Sequence, residues 1–239
     1  MEMGDFFKAA EPFGLILEIS NRSEIKNLIK TNGLRLRSVG LLLFILSILS
    51  TSSISNASPL LDALKSKTVN AKAVNGEFTQ HKIVKGLSIP LISKGVFSYS
   101  QGDKLVWHIK APIENEYSIA YSQITSKSAV EGLVDGLDAP QDQYQKIITM
   151  FLDLFSGNWD VLENYFEIIG TVNAVGWNAT LIPKDELFQT MFVSMQLQGN
   201  KHINNMQIDE KNGDKTKIEF SRVNVVPAFK PTSSNNQKE

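Results

Sequence analysis

The sequence predicts a mainly β protein with a few helices, in which an antiparallel sheet curls into an open barrel and the helices cover its concave side. Short segments that alternate apolar and polar residues recur from about residue 74 to residue 225, which is typical of strands. Gly, Pro and Asn-Gly turn signals separate these segments. One stretch in the middle changes to a helical period. A two-sheet sandwich gives similar alternation, so patterning alone leaves that alternative open.

Residues 1–57 are excluded from this fold prediction, because they are interpreted as an N-terminal extension followed by a secretory signal peptide. Residues 39–49 are uncharged and rich in Leu and Ile, with basic residues before them and small polar residues after them. The run is much shorter than the ~20 residues that a membrane-spanning helix needs. Ser55 and Ala57 form the small-x-small pattern that predicts cleavage before Ser58. The flanking charges argue against the alternative, a buried core helix.

The mature chain is predicted to form one domain over residues 58–229, followed by a disordered polar tail over residues 230–239. It contains 18 Lys and Arg against 20 Asp and Glu without a basic stripe, so nucleic acid is not an expected partner. The absence of cysteine excludes disulfides, thiolate metal sites and a lipidated N-terminal cysteine. We therefore expect a monomeric periplasmic protein that is soluble after signal cleavage.

A short amphipathic helix is predicted at the start of this domain, over residues 59–73, with three leucines on one side. The strands that follow are recognised by β-branched and aromatic residues between turn signals. We predict two strands within residues 74–100. The further strands are predicted over residues 104–112, 117–122, 165–170, 176–183, 190–199, 203–210 and 217–225.

Three of the predicted strands carry two apolar faces that are candidates for lining a hydrophobic cavity. The first face is aromatic and aliphatic, and it consists of Phe97, Tyr99, Leu105, Trp107 and Ile109. The second is rich in methionine, which adapts to irregular apolar shapes, and it consists of Met191, Val193, Met195 and Leu197. Ordinary core packing is the alternative for both faces.

The helical period in the middle of the chain predicts a helix with a wide apolar face. Apolar residues recur at spacings of three and four, while Gln145, Thr149 and Asp153 lie opposite. Gly157 is the expected C-cap, and a second short helix follows it. The first helix is a candidate lid over the cavity, with the lid face made of Tyr144, Ile147, Ile148, Phe151, Leu152 and Phe155.

Residues that carry catalytic or metal chemistry are not grouped in this sequence. The three histidines form no metal-binding pair, and there is no nucleophile elbow, phosphate-binding loop or dinucleotide fingerprint. Neighbouring acidic residues occur in turn-like segments, where they are expected to be solvated. We therefore expect no enzymatic activity, no cofactor and no metal site.

The order of the β motifs resembles the periplasmic outer-membrane lipoprotein carrier (LolA-like) family, in a divergent branch. The resemblance covers nearly all of residues 58–228. It rests on a small-x-Phe-x-Gln-x-Lys strand after a helix, on a Trp strand that ends in Pro, and on a Gly-Leu-x-x-Pro-Leu stretch between them. The residues concerned are Gly76, Phe78, Gln80, Lys82, Gly86, Leu87, Pro90, Leu91, Gly95, Tyr99, Leu105, Trp107 and Pro112.

The resemblance implies a half-open antiparallel β-barrel, closed by lid helices, that carries the acyl chains of lipoproteins toward the outer membrane. It implies an acylated lipoprotein or other lipid cargo, an inner-membrane releasing complex and an outer-membrane acceptor. It also implies a lid latch formed by an Arg six residues before the Trp, but this chain has Gln101 there. Gln lacks the charge and the five donors of a guanidinium, so lid control is expected to differ. A carrier of another amphiphile, such as a glycolipid or fatty acid, and a non-transporting structural domain stay open as alternatives.

Overall fold

The computed structural model describes residues 59–120, 123–128 and 141–228, with side chains over 59–120 and 146–228. The predicted N-terminal extension, the signal peptide with its cleavage site, and the polar tail lie outside these residues. The described part folds into elements whose bounds, in chain order, are α1 (Pro59–Lys67), β1 (Ala71–Ile83), β2 (Leu91–Ser100), β3 (Lys104–Ala111), β4 (Asn115–Ala120), β5 (Gln123–Ser128), α2 (Gln141–Ser156), α3 (Trp159–Tyr165), β6 (Phe166–Val172), β7 (Trp177–Pro183), α4 (Glu186–Met191), β8 (Phe192–Gly199), β9 (Ile203–Glu210) and β10 (Lys215–Pro227).

All ten of these strands belong to one antiparallel sheet, in the order β5-β4-β3-β2-β1-β10-β9-β8-β7-β6. Two meanders, β1 to β5 and β6 to β10, are joined side by side through the ladder between β1 and β10. The outermost strands β5 and β6 do not pair with each other, so the barrel stays open, and α2 and α3 lie in the connection between them. The predicted half-open barrel is therefore confirmed, and one continuous sheet excludes the sandwich.

A bulge in the longest ladder helps the sheet to curl. β1 and β10 shift register between the pairs Asn75–Asn224 and Glu77–Ser221, where Arg222 adopts a positive φ of 49°. Gly76 faces this bulge, and a Cβ atom there would lie 3.0 Å from the Ser221 carbonyl oxygen. Because bulges bend a strand and increase its twist, this site favours a curved sheet with a concave face.

The buried residues of alternate strand positions point to the concave face, and the helices cover them. On β2 the residues Ser93, Gly95, Phe97 and Tyr99 are buried, while their neighbours are exposed or half-buried. Helix α2 packs on β1 and β2, and α1 packs on β6. The concave face and the helices together enclose the hydrophobic core of the described residues.

The first helix is shorter than predicted. It ends at Lys67, and the chain is a strand from Ala71 onward. The Thr68 backbone N–H (2.9 Å) and hydroxyl (2.8 Å) both donate to the Leu64 carbonyl oxygen at the helix end. Ala71 then pairs with Pro227 at the far end of β10. Pairing with β10 therefore places residues 71–73 in a strand, although their local propensity favours a helix.

One short helix was not predicted at all. Residues 190–191 were predicted as strand, yet they belong to α4. Asp185 caps this helix, because its carboxylate accepts a hydrogen bond from the backbone N–H of Leu187 (3.1 Å). The strand β5 was likewise not predicted as a separate element.

Candidate lipid-binding cavity

Five aromatic side chains meet at the centre of the concave face. Phe78 stacks on Trp107 with ring centroids 3.9 Å apart, and Phe97 lies 6.0 Å from the same indole. Phe155 from α2 approaches Phe97 at 5.4 Å and Phe220 at 5.8 Å. These residues come from β1, β2, β3, β10 and α2, so the cluster joins the helix to both meanders. We call it the aromatic cluster.

The first predicted apolar face is assembled as one surface. Phe97, Tyr99, Leu105, Trp107 and Ile109 are all buried, and none is more than 3 % exposed. Antiparallel pairing places Phe97 beside Trp107 and Tyr99 beside Leu105 on neighbouring strands. The arrangement provides a continuous apolar wall, and its role in binding lipid stays a prediction.

Three residues of the second predicted face are also buried. Met195 and Leu197 lie in β8 opposite Ile208 and Met206 of β9. Met191 is buried as well, but it is the last residue of α4 and not part of the strand. The methionine face is therefore built from a helix end and a strand.

The prediction for Val193 is wrong, because this residue is 51 % exposed. A register shift between Phe192 and Ser194, opposite Glu210 and Asp209, interrupts the alternation of β8. A bulge of this kind moves the next side chain to the other face of the sheet. Phe192 is 1 % exposed and takes the inward position instead.

The candidate lid residues lie on α2, and those with described side chains are enclosed by the fold. Ile147, Ile148, Phe151 and Leu152 are buried, Phe155 is partly buried, and the side chain of Tyr144 lies outside the described residues. Burial is wider than the predicted face, since Met150 and Leu154 are buried too. Whether α2 moves as a lid stays a prediction.

Asp153 was predicted on the polar face of α2, yet it is only 7 % exposed. It lies beneath the turn to α3, where the Asn158 amide donates to its carboxylate (2.9 Å). Burial raises the pKa of the Asp153 carboxyl, and the hydrogen bond from Asn158 offsets part of that rise. The helix thus carries a partly desolvated acid where a solvated one was expected.

The first turns of α2 are attached to the opposite meander by Lys146. Its ammonium lies 2.5 Å from a carboxylate oxygen of Asp185 and 5.7 Å from the ring centroid of Tyr165. Asp185 also caps α4, so one carboxylate contacts both helices. Lys146 is partly exposed, which makes this a modest and reversible contact.

Two tryptophans flank a small apolar cavity at one end of the concave face. Trp159 and Trp177 meet edge to face at 5.2 Å, and their indole N–H groups donate to the Thr68 hydroxyl (2.9 Å) and the Asn200 carbonyl (2.7 Å). The cavity is about 30 Å³, roughly the share of one water molecule. It is lined among others by Val74, Phe97, Phe155, Phe220, Ile203 and Val225. We call this the cavity end.

The opposite end of the same face is polar and buried, and we call it the charged end. The Lys82 ammonium donates to both carboxylate oxygens of Glu210 at 2.6 Å, and the Thr216 hydroxyl donates to the same carboxylate at 2.8 Å. Asp214 lies 3.6 Å from the ammonium. The side chains of Lys82 and Glu210 are 8 % and 2 % exposed, so this ion pair is inside the protein.

Several of these residues were missed as site residues. Phe220 could have been found, because it alternates with the apolar residue Ile218 along its strand. Lys82 was recognised only as a motif residue, and its partner Glu210 lies 128 residues away, beyond the reach of any local pattern.

The described residues contain no group of three or more His, Asp or Glu side chains that could hold a metal ion. Within the same ranges, no helix is both long and apolar enough to cross a membrane. The arrangement offers apolar surface, and the charged pair at its end is internally bonded.

The model of the family described as outer membrane lipoprotein carrier protein LolA matches residues 69–233. The chain belongs to the LolA family. Proteins of this family are periplasmic carriers and not enzymes. Among curated proteins, no sequence matches the chain.

The solved structures that are similar to this LolA-family chain include two with low identity. A LolA superfamily protein from Nitrosomonas europaea has 7 % identity and a TM-score of 0.34, covering 71 % of this chain and 93 % of its own. A candidate outer membrane lipoprotein-sorting protein domain from Vibrio parahaemolyticus has 8 % identity and a TM-score of 0.31, covering 72 % of this chain and 94 % of its own. Membership in the LolA family rests on the family model.

The residue that replaces the expected LolA latch Arg lies at the cavity end. Gln101 is exposed in the turn between β2 and β3, and its backbone N–H donates to the Lys72 carbonyl (2.8 Å). The motif residues Phe78, Gln80 and Lys82 follow one another on the concave face of β1. The family motif therefore runs from the aromatic cluster to the charged end.

Proposed function

We propose that this protein is a periplasmic carrier that takes the acyl chains of lipoproteins into its concave face and transfers them toward the outer membrane. In this proposal the signal peptide is cleaved between Ala57 and Ser58, and residues 58–229 act as a soluble monomer. An inner-membrane releasing complex loads the carrier, and an outer-membrane acceptor unloads it. Membership in the LolA family supports this direction of transfer.

The observation that carries the proposal is the position of Phe155. This side chain of α2 contacts the rings of Phe97, Trp107 and Phe220 on the concave face and borders the apolar cavity. Its contacts are apolar and undirected, so acyl methylenes can replace them at little enthalpic cost. Helix α2 then acts as a plug that fills the face when no lipid is bound.

The energetics of acyl transfer explain why such a plug is useful. A palmitoyl chain gains on the order of 12 kcal/mol on leaving water, at ~0.8 kcal/mol per methylene. A permanently open cavity would hold this chain too tightly to release it. A helix that competes for the same surface lowers the net affinity, because loading must first displace it.

Two alternative functions share the same fold. A carrier of a glycolipid or a free fatty acid would use the same apolar wall. A non-transporting structural domain is favoured by one observation, since the cavity that Phe155 borders is only about 30 Å³ and the core residues around it are buried. An unloaded carrier with α2 in place has the same appearance, so binding must be measured.

The test is to purify the mature protein from the periplasm and identify the extracted lipids by mass spectrometry. We expect diacylated or triacylated lipoprotein in the parent protein and its loss in Trp107→Glu, because a charge there would be desolvated against Phe78 and Phe97. Ser98→Glu is the matched control, since Ser98 is exposed on the neighbouring strand.

Each outcome of this test selects one function. Glycolipid or fatty acid in place of lipoprotein would favour the other carrier. Absence of any lipid, together with no binding of a fluorescent acyl probe, would favour the non-transporting domain. Undiminished uptake by folded Trp107→Glu would remove the aromatic cluster from the binding site.

A further inference from the structure

We propose that the charged end sets the maximum length of acyl chain that the concave face accepts. The ion pair between Lys82 and Glu210, with Thr216 bonded to it, would stop the methyl end of a chain that enters from the cavity end. This inference rests on the proposed function and adds a specificity-determining group to it.

The polar boundary spans three neighbouring strands and is staggered by two residues on β9. Lys82 pairs in register with Thr216, and Thr216 pairs with Ile208, so Glu210 lies two residues farther along its strand. The inward residues change from apolar to polar toward the charged end on each strand, which read Val74, Phe78, Gln80 and Lys82 on β1, Phe220, Ile218 and Thr216 on β10, and Met206, Ile208 and Glu210 on β9. The side chain of Glu210 bonds to both Lys82 and Thr216 across this stagger, so the three polar groups form one continuous boundary.

The bonding within the charged end indicates a boundary and not a second ligand site. Glu210 accepts two hydrogen bonds from Lys82 and one from Thr216, and Asp214 adds a second carboxylate 3.6 Å from the ammonium. The three ionised groups carry a net negative charge, which disfavours an anionic headgroup. A methyl group can neither donate nor accept hydrogen bonds, so it cannot replace the bonds that it would displace. The methyl end of an acyl chain is therefore excluded from the charged end.

The length of the apolar stretch fits this role. Eight positions along β1 lead from Val74 at the cavity to Lys82 at the charged end, which is about 26 Å along a strand. Within that stretch each added methylene should raise affinity about four-fold, from ~0.8 kcal/mol of transfer free energy. Methylenes beyond the boundary should add nothing, because they stay in water or fold back.

The alternative is that the buried ion pair only stabilises the fold. A structural role predicts that changing the pair alters stability and leaves the dependence of affinity on chain length unmoved. The position of the plateau in that dependence therefore separates the two roles.

The experiment measures displacement of a fluorescent acyl probe by saturated fatty acids from lauric to behenic acid. The main variant combines Lys82→Met, Glu210→Leu and Thr216→Val, because removing Lys82 and Glu210 together leaves neither of these two buried charges without its partner. Asp214 loses the ammonium 3.6 Å away. Asp214 keeps its bonds from the Lys85 N–H and the Asn212 amide. We expect the plateau to move to chains at least two methylenes longer.

Two further variants make the result decisive. Lys65→Met with Asp160→Leu replaces an ion pair on the helical surface in the same way and should leave the plateau in place. Ile218→Phe adds volume just above Thr216 and should move the plateau to shorter chains, which tests the boundary even where the triple variant does not fold.

The outcomes separate this inference from the proposed function. An unchanged plateau in a folded triple variant, or in Ile218→Phe if the triple variant does not fold, would overturn the length limit while acyl binding by the parent protein stands. Failure of the parent protein to bind any of the fatty acids would overturn both.

Discussion

The two ends of the concave face are built from the same strands but by different interactions. At the cavity end, rings of Phe97, Phe155 and Phe220 meet through apolar contacts without directed bonds. At the charged end, Lys82 and Glu210 are fixed by short ionic hydrogen bonds. Apolar contacts can be exchanged for similar ones, whereas a buried ion pair tolerates no partial loss. The comparison indicates that the side-chain packing at the cavity end is suited to rearrangement, whereas the charged end is suited to a fixed structure.

The largest effect is expected from breaking the charged end on one side only. Glu210→Ala leaves the Lys82 ammonium buried without its bonded carboxylate and with Asp214 3.6 Å away, and we expect a loss of ~3–5 kcal/mol in the free energy of unfolding. Urea denaturation measures this loss. Glu77→Ala, which breaks the exposed contact with Arg222, is the matched control and should change the midpoint little. A similar small change for Glu210→Ala would show that the charged end is not rigid.

The second prediction compares two phenylalanines of the aromatic cluster. Phe78→Ala removes a ring that stacks on Trp107 and is 2 % exposed, so a core truncation loss of ~3–5 kcal/mol is expected. Phe155→Ala removes a partly buried ring from the plug, so we expect a clearly smaller loss together with tighter binding of a fluorescent acyl probe. Unfolding and probe titration are measured on both. Equal losses with unchanged binding would make α2 ordinary core.

A smaller effect is expected at the contact that attaches α2 to the opposite meander. Lys146→Met keeps an unbranched side chain but removes the ammonium, and with it the ion pair with Asp185 and the contact with the Tyr165 ring, so stability should fall by at most ~1 kcal/mol. The rate of probe uptake should rise, because the plug is then less tightly held. Stopped-flow fluorescence measures this rate, and an unchanged rate would show that the contact does not limit opening.

The smallest effect concerns pH and the buried carboxyl of α2. Burial raises the pKa of Asp153 above its ordinary value of 3.8, so the folded protein binds this proton more tightly than the unfolded chain does. Its contribution to stability is therefore lost as the pH rises from below 3.8 through the raised pKa, and stays constant above it.

Asp153→Asn provides the check, because an amide keeps an acceptor for Asn158 without a charge. We expect the variant to be more stable than the parent protein at neutral pH, and the difference to shrink in acid. Thermal unfolding across this range measures it. A difference that is constant with pH would assign the effect to packing.

Much of the sheet could be predicted from the sequence, because half-buried strands show their alternation locally. The alternation alone predicts one apolar face made of Phe97, Tyr99, Leu105 and Trp107. In the structure these residues are buried side by side on β2 and β3. The helical period over α2 identified buried residues such as Ile148 and Phe151. These features depend on neighbours within a few positions, which is the range that a pattern covers.

The errors arise where distant parts of the chain decide the outcome. The bulge that turns Val193 outward depends on its pairing with β9, and β1 extends to Ala71 because β10 is available there. The partners Lys82 and Glu210 are 128 residues apart, so their bond follows from strand order alone. Asp153 is buried by the turn into α3, although its spacing on α2 marks it as polar.

The open seam between β5 and β6 gives the barrel an elastic property. Among the described strands, β1 and β10 form the strand pairing that joins the two meanders. When the outer strands spread, each ladder bends slightly and no backbone hydrogen bond between strands has to break. The enclosed volume can therefore change when the sheet bends, while the pairing of its strands is kept. A closed barrel would resist the same expansion with a complete ring of hydrogen bonds.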